Sequence, residues 1–323
     1  MKKNFPIILI AVLLVFGSAW ATDLEVHVIN VGQADAILII CPCGEHQLLI
    51  DAAELNFRYK FSDTAFKEFV LNHQNNNDEI EVVIATHPHS DHIGNMKWVL
   101  DNYSIGLYVD NGKTSDSATF RNLEEKVEEL EADNRHQDTQ NGNIPDIDFC
   151  PLNNVTATLL IPDNFNAPGR SSPNEYSLVV RVDYGSSSFL FAGDASHQLE
   201  ALFVSDGDTH EVLDCDFLKA GHHGSETSSE REFLELVTPD IAVISCGIRG
   251  VGSNVGHKHP RLSPIETLLD FVKLRTALPV GIEAYDTENN AWKYVIIKKK
   301  LYFISSEGTL SFKSDGTTIK RIH

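Results

Sequence analysis

The segment Thr86-His87-Pro88-His89-Ser90-Asp91-His92-Ile93-Gly94-Asn95 sets three histidines and an aspartate within six positions, directly after the apolar run Ile80, Val82, Val83, Ile84. In an extended segment residues two apart share a side, so His87 and His89 can face one ion while Pro88 stiffens the link and points away. Asp91 and His92 fall where the chain can enter a helix carrying Ile93, Met96 and Val99, and there they can face a second ion. Imidazole nitrogen with carboxylate oxygen suits zinc first, and iron or manganese less exclusively. A loop that is merely rich in histidine rarely brings four good ligands to the end of a buried-type strand.

Further candidates also stand where apolar runs stop. Ser188 to Phe191 ends in Ala192-Gly193-Asp194-Ala195, and the Asp194 carboxylate either bridges two ions through its two oxygens or caps the helix Gln198 to Val204. Phe217-Leu218-Lys219-Ala220 delivers Gly221-His222-His223-Gly224-Ser225, where flanking glycines leave the backbone free to approach a metal or an oxyanion. Asp51, after Gln47 to Ile50, either caps a turn or holds a ligand histidine by a hydrogen bond. Gly247 to His259 is a glycine-rich loop with Asn254, Gly256, His257 and His259. Histidines 27, 46, 73, 136, 197, 210 and 323 have no partner in sequence and read as ordinary surface or core residues.

The elements that must position these groups alternate between strand and helix. Leu24 to Val31, Ala36 to Ile40 and Gln47 to Ile50 read as strands, with Cys41-Pro42-Cys43-Gly44 as a turn. Phe61 to His73 has helical spacing and leads through Asn75-Asn76-Asn77-Asp78 to the strand before the histidine cluster. Ile105 to Val109 is a strand, and Ala118 to Arg135 a polar helix whose apolar stripe is Leu123, Val127 and Leu130 and whose glutamates are a solvated face. Asp138 to Asp148 reads as a loop at the site mouth. Strands follow at Val155 to Ile161, Ser177 to Val182 and Ile241 to Cys246, with a loop at Ser172 to Asn174. Ser263 is expected to cap a helix running to Val272, and Val280 to Phe312 to form short strands, with Lys298 to Lys300 on the wet face of an edge. The pattern is α/β.

Lys2 and Lys3 precede the apolar run Phe5 to Phe16, and Ala19-Trp20-Ala21 supplies small residues for a signal peptidase. The run is short for a bilayer span, so residues 1–21 read as a cleaved export signal. That leaves residues 22–323 as one periplasmic or secreted domain without a stable membrane anchor. The chain of 323 residues carries a net charge of −20; cleavage removes Lys2 and Lys3, leaving 24 basic against 46 acidic residues, or −22. Such a surface disfavours tight binding of long nucleic acid, although bound metal reverses the potential locally. Five cysteines, an odd number, leave at least one unpaired in an exported protein.

With ligands recurring at strand ends, the set Asp51, His87, His89, Asp91, His92, Asp194 and His222 resembles the metallo-β-lactamase superfamily. More narrowly, Val31-Gly32-Gln33-Ala34-Asp35-Ala36, Asn174 to Arg181, Phe191 to Ala195, Leu218 to Ser225 and Asn254 to Pro260 are similar to the hydrolase domain of competence-type DNA-uptake proteins, the ComEC group. The Ser90 to Asn95 wording is also similar to exported phosphorylcholine esterases of the same superfamily. The resemblance implies a four-layer αββα sandwich with two divalent metal ions in a cleft between sheet edges. One ion would take His87, His89 and Asp194, and the other Asp91, His92, Asp194 and His222, with Asp51 behind a ligand histidine. Asn174 stands where many members supply one more histidine, which makes it a weak ligand and the first site labile or partly occupied. Ala52-Ala53 follow Asp51 where a glycine is usual.

The resemblance therefore implies hydrolysis of a phosphoester, foremost a diester, by metal-activated water. Asp91 would orient that water, and His223, His257 or His259, with His259 preferred, would supply a proton or a hydrogen-bond donor to the leaving oxygen. Ser225 and Lys219 would contact phosphate or be structural. The substrate would be an oligonucleotide or a small phosphodiester. The alternatives are opening of a lactam or lactone and a catalytically silent metal-binding protein.

Overall fold

The structure is a computed structural model that describes residues 23–54, 61–75, 78–140, 144–152 and 154–323. The expected export signal over residues 1–21 and the centre of the expected turn, Asn76-Asn77, lie outside them. Leu24–Val28 (β1), Ile37–Ile40 (β2) and Gln47–Ile50 (β3) form an antiparallel meander, and Phe61–Asn72 (α1) leads to Glu79–Ile84 (β4), parallel to β3. Next come Ser90–Ile93 (α2), Met96–Asn102 (α3), Ser104–Asp110 (β5), Ala118–Ala132 (α4) and His136–Asp138 (β6). The second half contains Val155–Leu160 (β7), Val179–Tyr184 (β8), Ser187–Phe191 (β9), His197–Ser205 (α5), His210–Leu213 (α6), Phe217–Lys219 (β10), Arg231–Val237 (α7) and Ile241–Ile244 (β11). Asn254–His257 (α8), Leu262–Phe271 (α9), Arg275–Asp286 (β12), Ala291–Lys299 (β13), Leu301–Phe303 (β14), Ile304–Glu307 (α10), Leu310–Ser314 (β15) and Ile319–Arg321 (β16) complete it.

Two sheets result, in the orders β16-β15-β1-β2-β3-β4-β5-β6 and β14-β11-β10-β9-β8-β7. Successive strand side chains point to opposite faces, and both faces of the first sheet are covered, which is why its strands read as nearly continuous apolar runs. Ile37, Ile39, Leu48, Ile50, Val82 and Ile84 pack toward the second sheet, against Val180, Val182, Phe189 and Phe217. Leu38, Leu49 and Val83 face the other way, onto Phe66 and Val70 of α1, Met96 and Val99 of α3, and Leu123 and Leu130 of α4. On the far side of the second sheet lie Leu199 and Phe203 of α5, Phe233 and Leu234 of α7, and Ile265 and Leu268 of α9. The architecture is helix, sheet, sheet, helix, the expected αββα sandwich. Each fully buried Leu, Ile or Phe contributes about 1.5–3 kcal/mol. Among the described residues no helix is long and apolar enough to cross a membrane.

Several boundaries depart from expectation. The polar stretch from Asp138 starts inside an edge strand, β6, paired with β5; residues 141–143 lie outside the described residues. Residues 280–299 form most of one long hairpin, β12 with β13, as a separate sheet, because the irregularity between Arg275 and Val280 shifts the register without ending the pairing. Ser263 lies within the first turn of α9 and the cap position is Arg261, so Ser263 is not the cap. β15 returns from the far end of the chain to pair with β1. Cys41, at the turn after β2, is bonded to Cys150 ahead of β7 and so ties the two sheets, while Cys43, Cys215 and Cys246 are free thiols.

Candidate metal centre

The candidate residues collect at the carboxyl ends of parallel strands, where open α/β sheets commonly place their sites. Asp51 follows β3, the histidine segment follows β4, Asp194 follows β9, the His222-His223 pair follows β10, and the loop to His259 follows β11. β3 is parallel to β4, and β9, β10 and β11 are parallel to one another. His89 starts α2 from an extended conformation, which turns Asp91 and His92 onto the helix.

Asp91, His92, Asp194 and His223 present ligand atoms within 4.8 Å of one another. His92 Nε2 lies 3.3 Å from Asp194 Oδ1, and His223 Nε2 lies 3.4 Å from both Asp194 Oδ1 and Asp91 Oδ2. The opposite nitrogen of each ring is committed behind the site. His92 Nδ1–H donates to Asp51 Oδ2 at 2.7 Å, and His223 Nδ1–H donates to the Ser245 carbonyl at 2.8 Å. Each Nε2 is thereby the nitrogen aimed inward. Asp51 is itself fixed, accepting from Thr86 N–H at 2.8 Å and Thr86 Oγ1–H at 2.9 Å. Of the two candidate roles for Asp51, the geometry shows the hydrogen bond to a histidine. Its turn forms without a glycine: Ala53 takes a left-handed φ of 58°, and Ala52 and Ala53 accept from Asn95 and Gly94 at 2.9 Å.

His223, rather than His222, occupies the place beside Asp91, His92 and Asp194. Both residues have left-handed backbones, φ 48° and 53°, ahead of Gly224 at φ 74°, a strain of about 1–3 kcal/mol per residue. This turns the two rings 61° apart, with centroids 6.3 Å apart. His222 Nε2 accepts from Asn174 Nδ2 at 3.0 Å, its Nδ1–H meets Thr227 Oγ1 at 2.9 Å, and Asp194 Oδ2 lies 3.7 Å from Nε2. His223 stands among the ligand atoms, between the Ser245 carbonyl and the Asp91 and Asp194 carboxylates, and of the three expected donors His257 and His259 stand outside that group.

His87, His89 and Asp194 make the second group within 4.8 Å. His87 Nε2 is 2.9 Å from His89 Nδ1 and 3.8 Å from Asp194 Oδ2. Thr86 Oγ1, which donates to Asp51, accepts from His87 Nδ1–H at 3.1 Å. Asn174 faces this side, but through His222, and its buried Oδ1 makes no hydrogen bond.

The charge balance is that of carboxylate and imidazole donors brought close together. Burial pushes the Asp194 carboxyl up, but His223, His92 and His222 together hold it well below the usual carboxylate range. Burial opposes a proton on His223, yet Asp194 and Asp35 lift it to about 10; His92 is likewise lifted by Asp194 and Asp51 against burial. Burial keeps His87, His89 and His222 neutral-leaning. His92 Nε2, His223 Nε2 and Asp194 Oδ1 are buried with no hydrogen-bond partner, at about 1–3 kcal/mol each. A divalent cation satisfies all three, so the nitrogen and oxygen donors present fit one.

Behind the donors lies a support built from Asp35, to which the sequence assigned no role, and Lys219, read as a phosphate contact or a structural residue. Asp35 and Lys219 are both wholly buried and ion-paired, and Lys219 Nζ also donates to the Gly193 carbonyl at 2.9 Å. Lys219 is therefore structural and does not contact phosphate. A further acidic group, Asp35 with Asp51 and His92, already holds that ammonium and the Thr86 donors. Gly193 has φ 51°, and a Cβ there would come within 3.1 Å of Thr86 Cβ, so only glycine lets Asp194 reach its place. Ser225 is buried against Thr227, 3.0 Å between hydroxyls, and is likewise structural. The buried Asp35 is the signal that was available, an acid inside the Val31 to Ala36 run.

The donors open on a cleft of about 260 Å³ whose wall includes Glu54, Ser253, His257 and His259. His259 is buried, and burial with the nearby His223, His222 and His257 holds it down to about 2, neutral at ordinary pH.

A family model described as "Metallo-beta-lactamase superfamily" matches residues 62–248. ComE operon protein 3 of Bacillus subtilis is 25% identical over 256 residues, covering 76% of this chain and 30% of its own length. Recombination protein 2 of Haemophilus influenzae is 40% identical over 74 residues, covering 23% of this chain and 9% of its own. The chain thus spans less than a third of the length of either relative. Among solved structures, the metallo-beta-lactamase fold protein YhfI from Bacillus subtilis aligns over 90% of this chain and 100% of its own at 12% identity, with a TM-score of 0.47.

Proposed function

The chain belongs to the metallo-beta-lactamase superfamily, and from that premise we propose that it is an exported phosphodiesterase that works with two divalent ions, zinc first. The observation that carries this reading is the Asp194 carboxylate: Oδ1 faces His92 and His223, and Oδ2 faces His87 and His222. Such a carboxylate suits two cationic centres side by side. His87, His89 and Asp194 would hold one ion, and Asp91, His92, His223 and Asp194 the other. When bound, the ions supply Lewis acidity and a water nucleophile at neutral pH. Asn174 supports a phosphoryl rather than a lactam substrate, because it leaves the first group short of the further imidazole that a well-filled zinc site needs.

The remaining work falls to the chain's own side chains. Asp91, with its carboxylate 23% exposed on the cleft, orients the attacking water. His259, neutral within the wall, donates a hydrogen bond from its ring to the departing oxygen, which takes its proton from solvent, with His257 beside it, ring centroids 5.7 Å apart. The cleft of about 260 Å³ is at the small end for ligand pockets, so it admits a phosphodiester group and little of its substituents. With a net charge of −20, the substrate is a small diester or a single-stranded oligonucleotide, not a tightly held duplex. Relatives named for the ComE operon and for recombination favour DNA within that class. The site of action is the periplasm or beyond, reached through the signal at residues 1–21.

The test is turnover of bis(p-nitrophenyl) phosphate, a short single-stranded DNA and nitrocefin by the full chain, with and without chelator. Phosphodiester cleavage lost on chelation is the expected result. Turnover of nitrocefin alone, or of nothing by metal-loaded protein, overturns the proposal.

A further inference from the structure

We propose that Gln33 is a positioning residue that holds His259 in the tautomer protonated on Nε2, so that the ring offers the cleft a proton donor. The inference rests on the reading of His259 as the hydrogen-bond donor to the leaving oxygen. Gln33 and His259 are 226 positions apart, both buried, and joined at 2.9 Å between the amide Nε2 and the imidazole Nδ1. Neither end of an amide can be told from the other by shape alone. Here a third group decides: the Gly247 backbone N–H, which can only donate, meets the other end of the Gln33 amide at 3.0 Å. That end is the carbonyl oxygen. The end facing His259 is the NH₂, which can only donate, so His259 Nδ1 must be the bare, accepting nitrogen. In a neutral imidazole the proton then sits on Nε2, the nitrogen left for the cleft that this ring lines.

The surroundings leave this arrangement no slack. Asn254, wholly buried, accepts from His259 N–H at 2.7 Å and donates at 2.7 Å to both the His259 and the Gly247 carbonyls. One side chain therefore fixes both the donor that sets the Gln33 amide and the residue the amide acts on. Gly247 has no room for a side chain: a Cβ there would lie 3.0 Å from Gln33 N, 3.1 Å from Gln33 Cβ and 3.2 Å from Asn254 Cβ. A mere tie between two loops would be served by either end of the amide. The Gly247 donor selects one.

The experiment uses the full, metal-loaded chain with ¹⁵N-labelled histidine, reading the His259 tautomer from long-range ¹H–¹⁵N spectra, with the signals assigned by their loss in His259→Asn. The wild type is expected to be protonated on Nε2. In Gln33→Glu the second carboxylate oxygen accepts instead of donating, so the proton should move to Nδ1. Turnover of a diester with an alkoxide leaving group should then fall about 10²-fold in kcat, with KM unchanged and the p-nitrophenyl diester, which needs little protonation, far less affected. A wild-type spectrum with the proton on Nδ1, or a tautomer unchanged in Gln33→Glu, overturns the inference. Should that variant not fold, the wild-type spectrum decides, and Gln33→Met, which neither donates nor accepts, should give a mixture of tautomers. Absence of any phosphodiester turnover would sink the functional reading alone, since the tautomer is measured without substrate.

Discussion

His92 donates Nδ1–H to Asp51 Oδ2 at 2.7 Å, with both side chains wholly out of contact with solvent. Asp51 therefore acts through His92, fixing which nitrogen faces Asp194.

Asp51→Asn replaces the anion by an amide that can present either end to His92. Metal affinity should fall about 10–100-fold, read by competition with a chromogenic chelator. An affinity equal to that of the wild type would show that the contact does not orient the ring.

The divergence of His222 and His223 gives a paired prediction. His223→Ala should lower the metal-to-protein ratio in elemental analysis, because its Nε2 stands between Asp91 and Asp194. His222→Ala should keep the ratio, because its Nε2 is engaged by Asn174. The reverse pattern would restore the assignment expected from the sequence.

Lys219→Met takes the ammonium from the buried Asp35 carboxylate and leaves it only the His223 and His92 rings at 3.4 and 3.9 Å. Removing one partner of such a pair costs about 3–5 kcal/mol, and urea unfolding should show a loss of that size. A variant with native stability and a raised KM would return Lys219 to a substrate-contacting role.

Glu200 is buried and accepts the Ser229 and Glu230 backbone N–H groups at 2.7 and 2.8 Å. Burial outweighs those bonds and raises its carboxyl to about 8 from 4.5. The folded state thus binds the proton more tightly than the unfolded state, so the contribution of Glu200 to stability is full below pH 4.5 and is lost as pH rises to about 8. The stability difference between wild type and Glu200→Gln should shrink in favour of the variant across that window. Urea midpoints at several pH values measure it, and a difference that grows with pH would contradict the assignment.

Much of this molecule is legible locally. The strands Gln47–Ile50 and Glu79–Ile84 are marked by apolar runs because both faces of their sheet are buried, and the histidine segment is marked because metal ligands must be dense in sequence when one turn supplies them. Asp194 is marked by its glycine and by the strand that ends before it. The run Ala118 to Arg135 shows its stripe because one face alone is covered, although the helix itself stops at Ala132; Ser117 caps it by accepting from Phe120 N–H at 3.1 Å.

The choice between His222 and His223 is not local. Adjacent residues have the same neighbours in sequence, and their directions are set by two left-handed backbones held between β10 and the Ser225 turn. Lys219 reads equally as a phosphate contact or a structural cation until the fold brings Asp35, 184 positions away, against it. The hairpin of β12 and β13 and the return of β15 to β1 depend on pairings that no window of sequence contains. The sequence by itself determined the ligand types, their placement at strand ends and the α/β class, because these follow from side-chain chemistry and periodicity within short stretches; the αββα arrangement came only as what the family resemblance implied. The tertiary structure alone decided that His223 turns inward, that Asp51 stands behind His92 and that Gln33 meets His259, because those relationships join segments that meet only when the two sheets close.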